Sequence, residues 1–333
     1  MTRKALGLLL LAVNILFFWL ASWFAFECQA RPVNLREPVF FEVTKGKGMR
    51  AVSRGLAQAG LIRSPGAFLA AYSLFYHPRG PKAGEYRFES LVRMSGLLQA
   101  LTEGRVYLHP VTVPEGLMGR EIASLLEEKG VVSAGDFLPV FNRTELVSSW
   151  DPQAADLEGY LFPETYHFTK SSDPDEVAAR MVGQFQSVFG AGLRRRAEEM
   201  GWTVREVVIL ASLIEKETSR PEERELVSAV FHNRLRIGMK LDCDPTIIYA
   251  LKREGAFDGD LKYRDMRLDS PYNTYIYRGL PPGPICSPGR ASIEAALSPA
   301  PEPFLFFVSK NDGSHHFSLN YREHREAVRR YQK

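Results

Sequence analysis

The chain has 333 residues, 45% of them hydrophobic, and a formal net charge of +3 with 24% charged residues. That length allows two or three domains with ordinary hydrophobic cores. The weak positive balance is spread along the chain, and there is no nucleic-acid-binding signature and no Gly-rich phosphate loop, so nucleic acid is not an expected partner.

The first element is apolar. After Arg3 and Lys4, residues 5–26 carry no charge and are rich in Leu, Phe and Trp. At about 1.5 Å per residue such a helix just spans a hydrocarbon core of ~30 Å. Trp19 and Trp23 fall toward its far end, where aromatic belts form, and the basic flank places residues 1–4 in the cytoplasm. No small-x-small site precedes Cys28, and Phe26-Glu27 does not fit a lipoprotein signal. The expectation is an uncleaved signal anchor of the inner membrane, single-pass, with the bulk of the chain periplasmic. Among the three cysteines, Cys28 sits at the membrane edge. Cys243 and Cys286 read as two separate buried thiols, although an oxidising compartment would permit their pairing.

Residues 27–38 read as a linker punctuated by Pro32 and Pro38. An internal repeat occupies 39–150. Val43 to Met49 leads into Leu56-Ala-Gln-Ala-Gly-Leu-Ile-Arg-Ser64 and Phe68; Val111 to Leu117 leads into Leu126-Glu-Glu-Lys-Gly-Val-Val-Ser133 and Phe137. Each unit predicts a strand, a Gly turn, an amphipathic helix stopped by Gly, and a second short helix. The first unit resembles a LysM-like module, a small fold that often binds N-acetylglucosamine polymers; a plain structural spacer is the alternative. Between the repeats, Lys82 to Phe88 predicts a strand and Leu91 to Leu101 a helix closed by Gly104. Glu158 to Phe168 is an aromatic segment whose rings are expected mainly to pack.

From Asp173 the pattern turns helical. One helix is expected from Pro174 through Phe189 and another over Leu193 to Met200. Thr203 caps a third, with Glu206 completing a capping box. Val207, Val208, Leu210, Ala211, Leu213 and Ile214 make this third helix apolar around most of its circumference, as for a buried helix. It ends in Glu215-Lys-Glu217-Thr218. Glu217 continues the face of Leu213 and Ile214, and Glu215 that of Val208, Ala211 and Ser212, so periodicity does not choose between them. A carboxyl there acts as an acid only if apolar surroundings raise its pKa toward neutrality.

Further motifs lie downstream: Val230-Phe-His-Asn-Arg-Leu235, Leu241-Asp-Cys-Asp-Pro-Thr-Ile-Ile-Tyr249, Ser270-Pro-Tyr-Asn-Thr-Tyr275, Gly279-Leu-Pro-Pro-Gly283 and Ser287-Pro-Gly289. Together with Ala211 to Thr218, they make the region from about 155 to the C-terminus similar to the YceG-like endolytic murein transglycosylases. The apolar N-terminal segment and the LysM-like part fit that family's layout. The resemblance implies an α+β protein: a transmembrane helix, LysM-like α/β subdomains, and a mainly helical, lysozyme-like catalytic domain over 151–333. It implies lytic, non-hydrolytic cleavage of the MurNAc–GlcNAc bond of nascent strands, leaving 1,6-anhydro ends and limiting glycan length. One carboxyl suffices there, unlike the two-carboxylate scheme of most glycosidases.

Glu217-Thr218 is similar to the Glu-Ser pair of lysozyme-like transglycosylases. Glu217 is therefore the expected general acid/base and Glu215 a supporting carboxylate or second choice. Tyr272, Asn273 and Tyr275 are expected to bind substrate through a ring, an amide and a hydroxyl. Asn233 and Arg234 are expected either to contact the glycan or to hold the Glu-bearing helix. No metal or cofactor is required, His315-His316 lacking ligand spacing and pointing apart on a strand. The expected partners are glycan strands and penicillin-binding synthases. The competing readings are a non-catalytic peptidoglycan-binding scaffold and a cytosolic lyase that binds pyridoxal phosphate.

Overall fold

The protein is described by a computed structural model over residues 3–25, 33–89 and 91–332. Cys28 and the first half of the expected linker, residues 27–32, lie outside the described residues. The chain forms two compact units, Met1–His109 and Pro110–Lys333.

In the first unit, α1 (Arg3–Ala25) covers the apolar stretch and precedes β1 (Val33–Asn34), β2 (Val39–Val43), α2 (Met49–Gln58), α3 (Pro65–Phe75), β3 (Gly84–Phe88), β4 (Leu91–Val92) and α4 (Met94–Glu103). Among the described residues no helix is long and apolar enough to cross a membrane. Most described side chains of α1 are nonetheless open, Phe17 at 66% and Phe18 at 70% exposure, while Phe24 packs against the core of this unit. β2 pairs antiparallel with β3, Val39 opposite Phe88, and β1 with β4, Val33 opposite Val92. α2 buries Met49, Val52 and Leu56, one turn apart, against Phe68, Tyr86 and Leu97. α3 starts where Ser64 Oγ accepts from Ala67 N at 3.2 Å ahead of Pro65, a capped entry with Pro at the first helical position. Leu91, read from its spacing as the start of a helix, lies in β4 instead. Pairing with the distant Val33–Asn34 takes Leu91 and Val92, so the helix begins at Met94; it closes on Gly104 at φ +78°, as expected.

The second repeat has the same order: β5 (His109–Thr112), α5 (Gly119–Glu128) and α6 (Ala134–Phe141). Its core merges with that of the later helices, since Val111, Ile122, Leu126 and Phe137 share one apolar cluster with Tyr160, Phe185, Leu210 and Ile293. β6 (Thr165–Phe168) pairs with β5. The aromatic segment before it packs as expected, Tyr160 donating from its hydroxyl to the buried Asp151 Oδ2 at 2.8 Å.

Then come α7 (Pro174–Val188), α8 (Ala191–Met200), α9 (Val204–Glu217), α10 (Arg224–Arg236), α11 (Asp244–Glu254) and α12 (Arg290–Leu297), with the hairpin β7 (Phe306–Ser309) and β8 (His315–Ser318) next, and α13 (Tyr321–Tyr331) last. In the hairpin Phe306 faces Ser318 and Ser309 faces His315. α9 carries the expected capping box: Glu206 N donates to Thr203 Oγ1 at 3.2 Å and Thr203 N to Glu206 Oε2 at 2.8 Å. Every residue from Val207 to Ile214 is buried. At roughly 1.5–3 kcal/mol for each large aliphatic side chain, this burial holds α9 as the central pillar of the unit. α12, α10 and α11 pack around it. The result is a mixed α and β fold in which helices dominate and the sheets are two-stranded.

Candidate active site

Glu217 is the last residue of α9, and Thr218 leaves the helix in extended conformation at φ −142°. The side chain of Glu217 is partly buried beside three residues of later elements. The Cys243 thiol donates to it, Asp244 lies close enough to repel it, and Arg234 attracts it. Burial dominates, and with the Asp244 repulsion it lifts the carboxyl from 4.5 to about 7 against the opposing pull of the thiol and Arg234. The group faces a cavity of about 420 Å³ whose wall includes Arg234, Asp244, Tyr275, Phe307 and His315. A larger cavity of about 800 Å³ opens between Trp202, His232 and the Pro299–Pro303 turn, but its carboxyl group, that of Glu302, is exposed on the turn. The Glu217 cavity joins a partly buried acid to converging polar groups, and a smaller cavity of about 360 Å³ is lined by another buried carboxyl, Glu158, with Asp156, Tyr249 and Arg253.

The two glutamates that periodicity left equivalent have different surroundings. Glu215 is nearly covered; its Oε2 accepts from Gly289 N at 2.9 Å, at the N-terminus of α12, and its Oε1 lies 3.8 Å from Arg224. It ties α9 to α12 and is not among the residues lining the Glu217 cavity. Glu115 also approaches Arg224, at 3.9 Å. Burial and then the nearby Glu215 push its carboxyl up.

The remaining expected site residues divide. Tyr275 lines the Glu217 cavity and donates from its hydroxyl to Asp244 Oδ1 at 2.6 Å. Arg234 lines it too, but two of its nitrogens are engaged: Nε donates to Leu305 O at 2.7 Å, and Nη1 to Leu241 O at 2.7 Å and Asp242 Oδ2 at 3.4 Å. Asn233 donates both amide protons to backbone, to Glu302 O at 2.8 Å and Phe304 O at 2.9 Å. This pair therefore fastens the segment ahead of the hairpin to α10. Asn273 is fully buried, giving its amide to Met266 O at 3.0 Å and Leu268 O at 2.8 Å while Oδ1 accepts from Tyr275 N at 3.0 Å. It staples a loop and has no face left for a sugar.

Tyr272 lies elsewhere in the unit, its ring 4.8 Å from that of Tyr249 and its hydroxyl 3.3 Å from Arg253 Nη1. A second buried carboxyl, Glu158, is found there. Its Oε1 accepts from Gly119 N at 2.9 Å, capping α5, and Oε2 from the Tyr249 hydroxyl at 3.4 Å. Burial, then Asp156, raises it to about 8.

Cys243 and Cys286 are both free and buried. His315 and His316 do point apart: His315 turns to Glu223, at 2.6 Å, and His316 to the Tyr331 ring, at 5.8 Å. Among the described residues no group of three His, Cys, Asp or Glu side chains is placed to hold a metal ion. Reading the sequence missed Glu223, His315 and Phe307 as neighbours of the acid. Glu223 sits in Pro-Glu-Glu, a polar turn by composition, and the hairpin reaches α9 only through long-range packing.

One carboxyl that holds its proton near neutral pH, at the edge of a polar cavity, can protonate a leaving oxygen and afterwards accept a proton from a nucleophilic hydroxyl.

Comparison with known proteins bears on which oxygen that is. The YceG-like family matches residues 41–330. A curated protein of Bacillus subtilis (strain 168), named endolytic murein transglycosylase, is 30% identical over 312 residues, covering 88% of this chain and 84% of the relative. A protein of the same name from Streptococcus pneumoniae (strain R6) is 27% identical over 328 residues, covering 89% of this chain and 58% of its own length. The crystal structure of a YceG-like protein from Listeria monocytogenes superposes with a TM-score of 0.61 at 28% identity, covering 88% of this chain and 99% of that one.

Proposed function

Because the chain belongs to the YceG-like family, we propose that Glu217 runs a lytic cut of the MurNAc–GlcNAc bond in peptidoglycan strands. The enzyme is a lytic transglycosylase of peptidoglycan. Glu217, protonated near neutrality, delivers its proton to the bridging oxygen as the bond to the MurNAc C1 breaks. The carboxylate so formed takes the proton of the C6 hydroxyl of the same MurNAc, whose oxygen closes on C1. The product is a 1,6-anhydro end, and no water is consumed. The observation that carries this reading is the Glu217 carboxyl raised to about 7 at the edge of a cavity it shares with Arg234 and Tyr275.

The finer layout supports a strand-trimming role. An uncharged segment at 5–26, with open apolar side chains such as Phe17 and Phe18, favours a single-pass inner-membrane anchor with the bulk of the chain outside. The strand–Gly–helix order of the first unit favours a LysM-like glycan contact, and the apolar α9 ending in Glu-Thr favours a lysozyme-like catalytic unit. Penicillin-binding synthases that extrude new strands at the same membrane are the matching partners.

The test is digestion of purified peptidoglycan by the chain from residue 31 onward, with products read by mass spectrometry. Anhydro-muropeptides from wild type that vanish with Glu217→Gln establish reaction and acid together. Ends carrying an added water would mean a hydrolase, and binding without products a scaffold.

A further inference from the structure

Directly after the Glu217–Thr218 helix end, the turn Pro221–Glu223 carries a nearly buried carboxylate that the reaction above does not use. Glu223 Oε2 lies 2.6 Å from His315 Nδ1 and accepts from the Thr218 hydroxyl at 3.3 Å, while Oε1 accepts from His315 N at 2.8 Å. Burial alone would raise this carboxyl, but the bonds from His315 and Thr218 outweigh it and hold it below its usual range, so it is ionised. A carboxylate only accepts, so His315 carries its proton on Nδ1. In the neutral ring Nε2 is then an acceptor, and among the described residues no protein group hydrogen-bonds to it. The Phe307 ring stands edge-on to the imidazole at 5.4 Å, and His315 shares the cavity with Glu217. The hairpin that bears it is clamped to the same helix end, since Arg220 donates from Nε to Gly313 O at 2.9 Å and from Nη2 to Asp312 O at 3.0 Å.

We propose that His315 is a substrate-contacting residue of the cleft, its Nε2 held by the Glu223 contact as a fixed acceptor for a hydroxyl of the sugar bound beside Glu217. Glu223 is a positioning residue that acts through the imidazole tautomer. The inference rests on the glycan-cleaving reading and adds to it a specific grip on the strand near the cut. It does not make His315 the base: the ring accepts a hydrogen bond, and the proton transfers remain with Glu217.

The experiment uses glycan strands purified from peptidoglycan. Their affinity is measured in the Glu217→Gln background, alone and combined with His315→Ala, with Glu223→Gln, or with both as a double variant. Turnover is measured with each of the latter two substitutions alone. Losing one acceptor is expected to weaken binding about five- to tenfold and to lower kcat/KM at least as much. In Glu223→Gln the amide N–H₂ group displaces the Nδ1 proton to Nε2. Nitrogen-15 spectra of labelled histidine should then show the tautomer reversed for His315, with the same loss of affinity as His315→Ala and no further loss in the double variant. A His315→Ala protein that melts like its parent and binds strands within about twofold of it overturns the inference. His315→Ala decides alone if Glu223→Gln lowers the melting point. A wild type that leaves no anhydro ends overturns the glycan-cleaving reading and this inference with it. A wild type that cuts, beside a His315→Ala variant that cuts equally well, overturns this inference only.

Discussion

The hydroxyl of Tyr275 donates to Asp244 Oδ1 at 2.6 Å, joining the loop after Asn273 to the first residue of α11. Asp244 in turn adjoins Cys243, whose thiol meets Glu217, and its charge adds to the burial that raises Glu217. Tyr275→Phe frees Asp244 to turn toward water and lessens that repulsion. The alkaline limb of the pH–rate profile is then expected to move to lower pH, by under about one unit. A limb that stays in place while kcat falls would assign Tyr275 to the substrate instead.

In the proposed reaction Glu217 must carry its proton to start the cut. With the carboxyl at about 7, kcat/KM is expected to fall as pH rises through that value. The same group links protonation to stability. Its folded value is about 7 and its ordinary value 4.5, so between these the native state holds more protons than the unfolded one, and stability falls as pH rises across that window. Below 4.5 both states keep the proton, and above 7 both have lost it. Glu217→Gln should therefore melt higher than wild type at pH 8, by on the order of 1–3 kcal/mol, with the gain gone near pH 4. Equal melting curves at both pH values would contradict the raised carboxyl.

Glu215→Gln keeps an acceptor for Gly289 N but removes the charge facing Arg224. The expected outcome is a loss of about 1 kcal/mol, read as a fall of about 2–4 °C in Tm, with anhydro products still formed. Abolished turnover in a folded Glu215→Gln protein would reverse the assignment of the two glutamates.

Gly159 has φ +82°, and a Cβ there would lie 2.6 Å from Pro284 and 2.8 Å from Val208 on α9. Strained backbone and crowding combine, so Gly159→Ala is expected to cost about 2–4 kcal/mol in thermal or urea unfolding. A change of under about 0.5 kcal/mol would mean that the Pro284 loop yields freely.

Local chemistry made much of this fold readable. The Thr203–Glu206 capping box, the all-apolar stretch after it and the Gly-closed helices of both repeats each arise from neighbours a few residues apart. What escaped depends on distant pairing. Leu91 was lost to a strand by its bond with Asn34, and Asn273 carried the chemistry of a sugar contact but spent it on Met266 and Leu268. The apolar run of α9 pointed to its two terminal glutamates without choosing between them, and the choice of Glu217 came from its likeness, with Thr218, to a Glu-Ser pair. His315 and Glu223, 92 residues apart in the chain, carry no mutual signal in sequence.

The wall of the Glu217 cavity includes Tyr321, His324 and Val328 of α13, beyond the hairpin that carries His315. A chain made from its N-terminus therefore presents Glu217 well before the last wall of the cleft exists. Until α13 has docked on β7, one wall of the cavity is missing and Glu217 is more open to water, where a carboxyl titrates lower. Loss of the final helix is therefore expected to leave α9 folded but Glu217 less buried and its carboxyl less raised.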